Sequence, residues 1–240
     1  MVWLVMTVGT ALAGTVQMVT GFGSVVLMMV MFPFFFNMID APMLALSVNM
    51  LFTLVMCWRC RRRIDWKVVL WPTAVYSGVS FLVTGLVRDA DLHRLVIAFA
   101  IFLMLLSLYF LLLSGKVKAK PKTWVGIGCA AFAGTSAGLF AIGGPPMAPY
   151  FLAATDDHET YVASMQFMFV ITNVVNLAGR MVNGIFNWSL WPYIAVGSVC
   201  ILLGMKLGEI VSAKLKPESI RISVYAFVGI SGLILLLQQL

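Results

Sequence analysis

The stretch AGTVQMVTGFGSVVLMM, residues 13–29, decides the fold. It sits inside a run from 1 to 39 that contains no charged side chain, and Thr20-Gly21-Phe22-Gly23-Ser24 interrupts that run midway. As one continuous helix the run would reach about 58 Å at ~1.5 Å per residue, against the roughly 30 Å of a bilayer's hydrocarbon core. Gly21 and Gly23 weaken the helix where a break is needed. The segment is therefore either two legs meeting at an unwound turn or one crossing with an irregular middle. Backbone of that kind is tolerated at membrane depth only where it is buried in protein or lines a cavity.

Outward from this stretch the pattern repeats. The 240 residues are 62% apolar and only 10% charged, with sixteen Lys+Arg and nine Asp+Glu, and the mean hydropathy is +1.01. Charge-free stretches fall at 1–39, 41–58, 68–87, 95–115, 123–155, 160–179, 181–205 and 222–240. Six suit a single crossing helix each. Residues 123–155 are again too long for one, and Gly143-Gly144-Pro145-Pro146 breaks them. The sequence predicts an all-α polytopic membrane protein with eight hydrophobic segments, embedded in the lipid bilayer of the cell (cytoplasmic) membrane.

No polar stretch is long enough for a soluble domain, and no G-x-x-x-x-G-K-[ST] loop occurs, so ATP hydrolysis within this chain is excluded. The net charge of +7 does not point to nucleic acid, because the basic residues flank spans. No basic region precedes Val2, which argues against a cleavable leader. Cys57-Trp-Arg-Cys60 has C-x-x-C spacing but no second Cys or His pair beside it, so neither a metal nor a cofactor is expected. The two histidines, His93 and His158, lie outside the spans, and no titratable cluster suggests an enzyme.

The two halves resemble each other. Ala13-Gly14-Thr15 recurs as Ala133-Gly134-Thr135, and Gly23 falls on Gly143 at the same offset. Ile64-Asp65-Trp66 matches Phe186-Asn187-Trp188, and Trp71-Pro72 matches Trp191-Pro192. The chain thus divides into repeat 1 (1–115) and repeat 2 (123–240), each one broken segment plus three simple helices. Paired interrupted segments are the best sequence pointer to a secondary transporter's site. If both broken segments are hairpins, the halves invert, and Lys and Arg divide thirteen inside to three outside. If both cross once, they divide ten to six. The positive-inside rule favours the inverted arrangement.

Gly14-Thr-Val-Gln17-Met-Val-Thr20-Gly21-Phe22-Gly23 and Gly138-Leu-Phe-Ala-Ile142-Gly143-Gly144-Pro145-Pro146 resemble the paired motifs of the TauE/SafE sulfite exporter family, also called the toluene-sulfonate uptake permeases. Arg61-Arg-Arg-Ile-Asp65-Trp66 is similar to the basic stretch that follows the second segment there. The resemblance spans essentially the whole chain. Met18 and Ala141 depart from it, each standing where a glycine is frequent. It implies transport of a small anion such as sulfite, sulfoacetate or another sulfonate, and leaves direction open.

The chemistry of the residues agrees. A helix that starts after a glycine break presents unpaired N–H groups and a positive dipole end, which suits an anionic substrate. Gln17, Thr20 and Ser24 supply donors beside the first break, and Thr135 and Ser136 near the second; Gly21, Gly23, Gly143 and Gly144 let backbone approach a ligand. Gly14, Gly134 and Gly138 read as helix-packing positions. Asn49 lies in the second span, and Gln166, Asn173 and Asn176 share one face of the sixth. That stripe either lines a cavity or ties the bundle together. Arg180 continues it, either as an attractor just beyond the direct contacts or as a snorkelling anchor. Lys206 and Glu209 are spaced to form an ion pair, and Asp156-Asp157-His158-Glu159 reads as the capped start of a helix. Self-association is left open, and so is a non-transporting role as a membrane assembly subunit.

Overall fold

A computed structural model describes residues 1–88, 90–112, 123–212 and 217–239. The lysine-rich loop at 116–122 and the residues at 213–216 lie outside the described residues. Helix α1 runs Val2–Thr20, with one π-helical turn at Val5–Gly9, and α2 is Ser24–Met31. Then come α3 (Asp40–Cys60), α4 (Trp66–Val87), α5 (Leu92–Leu112), α6 (Thr123–Phe140), α7 (Gly144–Ala154), α8 (His158–Val182), α9 (Trp191–Ser212) and α10 (Pro217–Leu237). Among the described residues, seven helical stretches are long and apolar enough to cross a membrane. Two of the seven are α1 and α6, the first legs of the two broken segments, because each break falls beyond the middle of its run.

Both breaks have a local cause. Gly21 closes α1 with φ 81°, and Gly23 opens α2 with φ 109°, in the left-handed region where a Cβ is disfavoured. Just before them the Thr20 hydroxyl bridges the carbonyls of Val16, one turn back, and Phe22, two residues ahead. At the second break Ala141 takes φ 63°. Pro145 and Pro146 then occupy the first turn of α7, where a missing N–H costs the helix nothing.

The legs fold back on each other. Trp3, at the start of α1, and Phe36, just past α2, both pack on Tyr193, with ring centroids 4.8 and 5.4 Å away. Residues 1–39 therefore return to the end where they began. A Cβ placed on Gly126, early in α6, would lie 2.5 Å from the Tyr150 ring in α7, so the second segment doubles back too.

Glycines set the closest helix contacts. A Cβ on Gly204 would lie 1.9 Å from the Ala11 carbonyl oxygen, and one on Gly14 2.3 Å from that of Ile201, so α1 and α9 meet backbone to backbone. Gly134 and Gly138 bring α6 close to α4 as well: a Cβ on them would lie 2.7 and 2.9 Å from the Tyr76 and Ser80 carbonyl oxygens. Helix α1 packs most extensively on α9 and α6 on α4, while α3 packs on α8 and α5 on α10.

Candidate functional site

The two breaks meet at a buried polar cluster. Ser24, the first residue of α2, donates its hydroxyl to Gln17 Oε1, one turn before the first break, and lies 2.8 Å from Asn49 Oδ1 of α3. Gln17 Nε2 donates to Gln166 Oε1 at 3.3 Å, and Gln166 Nε2 donates to the Gly21 carbonyl at 3.0 Å. Four helices are stitched together by uncharged groups, each of them nearly free of solvent. Such a network is stable at this depth because its members satisfy one another.

Beside the network lies a cavity of about 20 Å³ lined by Gln17, Gly23, Asn49, Tyr76, Gly144 and Asn173. Its lining residues include no charged side chain. A volume of this size holds about one water molecule. Asn173 Nδ2 is buried without a hydrogen-bond partner, and Asn173 lines this space. An amide N–H in that position lacks the acceptor its burial requires, and an oxyanion supplies one.

The helix termini contribute unequally. Helix α2 begins with the N–H groups of Ser24, Val25 and Val26 before its first internal hydrogen bond, from Leu27 N–H to Gly23 O at 3.0 Å, and Val25 and Val26 reach the cavity. Helix α7 also starts there, but Pro145 and Pro146 carry no N–H. The first break is therefore the richer in donors.

Several residues expected at the site are engaged elsewhere. Thr20 serves its own turn, and Thr135 and Ser136 donate to the carbonyls of Ala131 and Ala133 in their own helix. Asn176 accepts from Ser80 at 2.8 Å and Thr84 at 3.3 Å and donates to the Thr172 carbonyl, which ties α4 to α8. The polar face of α8 thus splits, with Asn173 at the cavity, Gln166 in the network at the first break and Asn176 in the bundle. Gly21 contributes its carbonyl to Gln166, and Gly143 supplies close approach: a Cβ there would sit 2.0 Å from the Tyr76 hydroxyl. Arg180 lies seven residues past Asn173, at the far end of α8. Glu209 pairs with Arg59 instead of Lys206, because that arginine ends α3 beside α9.

Tyr76 was not singled out by the sequence, yet it lines the cavity, under the Gly143 turn, and its hydroxyl meets Thr172. Its signal was present as a stripe: Thr73, Tyr76, Ser80 and Thr84 follow helical spacing on α4, and all four are buried.

The model of the family described as Sulfite exporter TauE/SafE matches residues 6–235. No curated protein and no solved structure matches the chain. The chain belongs to the TauE/SafE family, and it is a multi-pass membrane protein of a transporter family for sulfur-containing anions.

Proposed function

We propose that this member of the TauE/SafE family is a secondary transporter that carries a small sulfur oxyanion, sulfite, sulfoacetate or another organosulfonate, across the cytoplasmic membrane through the cavity between its two helix breaks. The observation that carries the reading is the unpartnered Asn173 amide, buried where both broken segments converge. Around it stand Gln17, Asn49 and the N–H groups at the start of α2, donors that suit an anion without trapping it by a full charge.

Helices α1–α5 and α6–α10 form two repeats of opposite orientation, covering 1–115 and 123–240. The exchanged packing supports this: α1 lies on α9 as α6 lies on α4, while the matched pairs α3–α8 and α5–α10 pack on each other. The first hairpin enters from the end where Tyr193 lies. The second enters from the end of the Arg61–Arg63 turn, where Arg63 meets Glu159 at 3.3 Å. By the positive-inside rule that basic end is cytoplasmic.

Purified protein in proteoliposomes, offered labelled sulfite, sulfoacetate, aryl and alkyl sulfonates and carboxylates, should move at least one sulfur oxyanion saturably. Asn173→Ala should cut the flux about tenfold or more, since a lost hydrogen bond to a charged group costs roughly 1.5–3 kcal/mol. A panel in which nothing moves and nothing raises the melting temperature rejects the reading.

A further inference from the structure

We propose that Arg180 forms a second anion site, in series with the first and at the end of the path opposite the Arg59–Arg63 cluster. The inference rests on the transport reading above. Arg180 is fully buried, and its Nε has no hydrogen-bond partner. Its remaining contacts are sparse: Nη1 donates to the Ile39 carbonyl at 3.2 Å, and Nη2 approaches the Gly138 carbonyl at 3.5 Å. A guanidinium carries five N–H donors, so most of its capacity is unused. Among the described residues it takes part in no ion pair. The carboxylate close enough to act on it through space is Asp40, which lies beyond ion-pair reach and is held by Asn37 Nδ2 at 2.9 Å and Asn187 Nδ2 at 3.3 Å.

A buried cation with no ion-pair partner is costly, and inside a membrane protein such groups mark ligand pathways. The other half of the molecule offers a contrast. Helix α3, the counterpart of α8, also has an arginine in its last turn, but Arg59 is half-exposed and paired with Glu209. Capping does not account for Arg180. The Gly138 carbonyl, near the end of α6, needs one N–H donor, and a neutral amide would supply it. What the guanidinium adds is charge and a planar fork, which match two oxygens of a sulfite, sulfonate or carboxylate group.

The location fits a waiting position. Seven residues of helix separate Arg180 from Asn173, about 10 Å at ~1.5 Å per residue. The two carbonyls over the fork come from the junction between the first hairpin and α3 and from the end of α6. An anion arriving from that side exchanges its own oxygens for those carbonyls. It is then handed along α8 to the uncharged donors at the breaks.

The test uses full-length protein in detergent, in buffer free of oxyanions, with sulfite as the probe. In Arg180→Gln, an amide can still reach a carbonyl, so only the charge and the fork are removed. The variant should melt no lower than wild type without sulfite, and it should need about tenfold more sulfite for half-maximal stabilisation. Arg180→Lys should recover part of that loss, because it keeps the charge without the fork. If Arg180→Gln melts well below wild type without sulfite while the sulfite response is unchanged, Arg180 is a cap and the inference is overturned. Wild-type protein that neither moves nor is stabilised by any anion of the panel above overturns the transport reading, and this inference with it. Wild-type flux matched in full by Arg180→Gln, from either face, overturns this inference alone.

Discussion

Ala141 holds φ at 63°, a conformation that costs a residue with a Cβ about 1–2 kcal/mol and glycine almost nothing. Ala141→Gly should therefore raise stability by about 1 kcal/mol after glycine's larger unfolding entropy is allowed for, read as a higher melting temperature in detergent. An unchanged or lower value would mean that the turn carries no such strain. Two residues away the expectation reverses. A Cβ on Gly143 would meet the Tyr76 hydroxyl at 2.0 Å and its ring at 2.4 Å, so Gly143→Ala should cost about 1–3 kcal/mol by overpacking, and Tyr76→Leu in the same chain should recover much of it. Gly78→Ala is the control, because a Cβ there meets nothing within 4 Å. At this scale the sequence was informative wherever a residue type is rare in its setting. Gln17, Asn49, Gln166 and Asn173 stand out because amides are sparse within spans. Tyr76 was hidden because aromatic residues are common in an apolar chain. Arg180 stood between an attractor beside the site and a snorkelling anchor because long basic side chains near span ends usually reach water; the anchor fails, since its burial is set by Ile39 and Gly138, both remote in sequence.

At the scale of the element, starts and stops were legible and loads were not. Glycine pairs and prolines inside charge-free runs marked both breaks, since the backbone conformations and missing N–H groups they bring end a helix locally. Their unequal donor supply depends on where Pro145 and Pro146 fall relative to the first turn of α7, which the composition of the run does not specify. The start of α8 was legible too. Asp157 accepts from the Thr160 backbone N–H at 2.8 Å and from the Thr160 hydroxyl, and these bonds hold its carboxyl below the usual carboxylate range. A depressed folded-state value means that the cap stabilises above the unfolded carboxylate's value and is lost as pH falls through the folded one. Asp157→Ala should therefore melt lower than wild type at neutral pH, and the gap should close below about pH 4. A gap that persists into acid would show that the carboxylate is not what stabilises the helix end.

For the whole molecule, the exchanged packing of α1 on α9 and α6 on α4 means that neither half can bury its own hairpin alone. The sequence matches between residues 1–115 and 123–240 lie at offsets of 120 and 122 residues, whereas the exchange leaves no such trace, because helix periodicity records which face is apolar and not which helix covers it. The same packing fixes the ends of the chain. His93 Nδ1 lies 2.7 Å from Gln239 Oε1, which brings the last residues beside the start of α5, away from the Arg61–Arg63 turn. A reporter fused at residue 240 should therefore read as non-cytoplasmic, and a cytoplasmic signal rejects the inverted arrangement. The small cavity carries a last consequence. Space for about one water is too little for a sulfite ion with its four heavy atoms, so the protein in this form is shut around its centre. On the transport proposed above, flow is then metered, one ion for each opening and closing, as by a turnstile rather than a pipe. Planar-bilayer recordings should stay free of unitary currents, and efflux of label should quicken when unlabelled substrate waits on the far side.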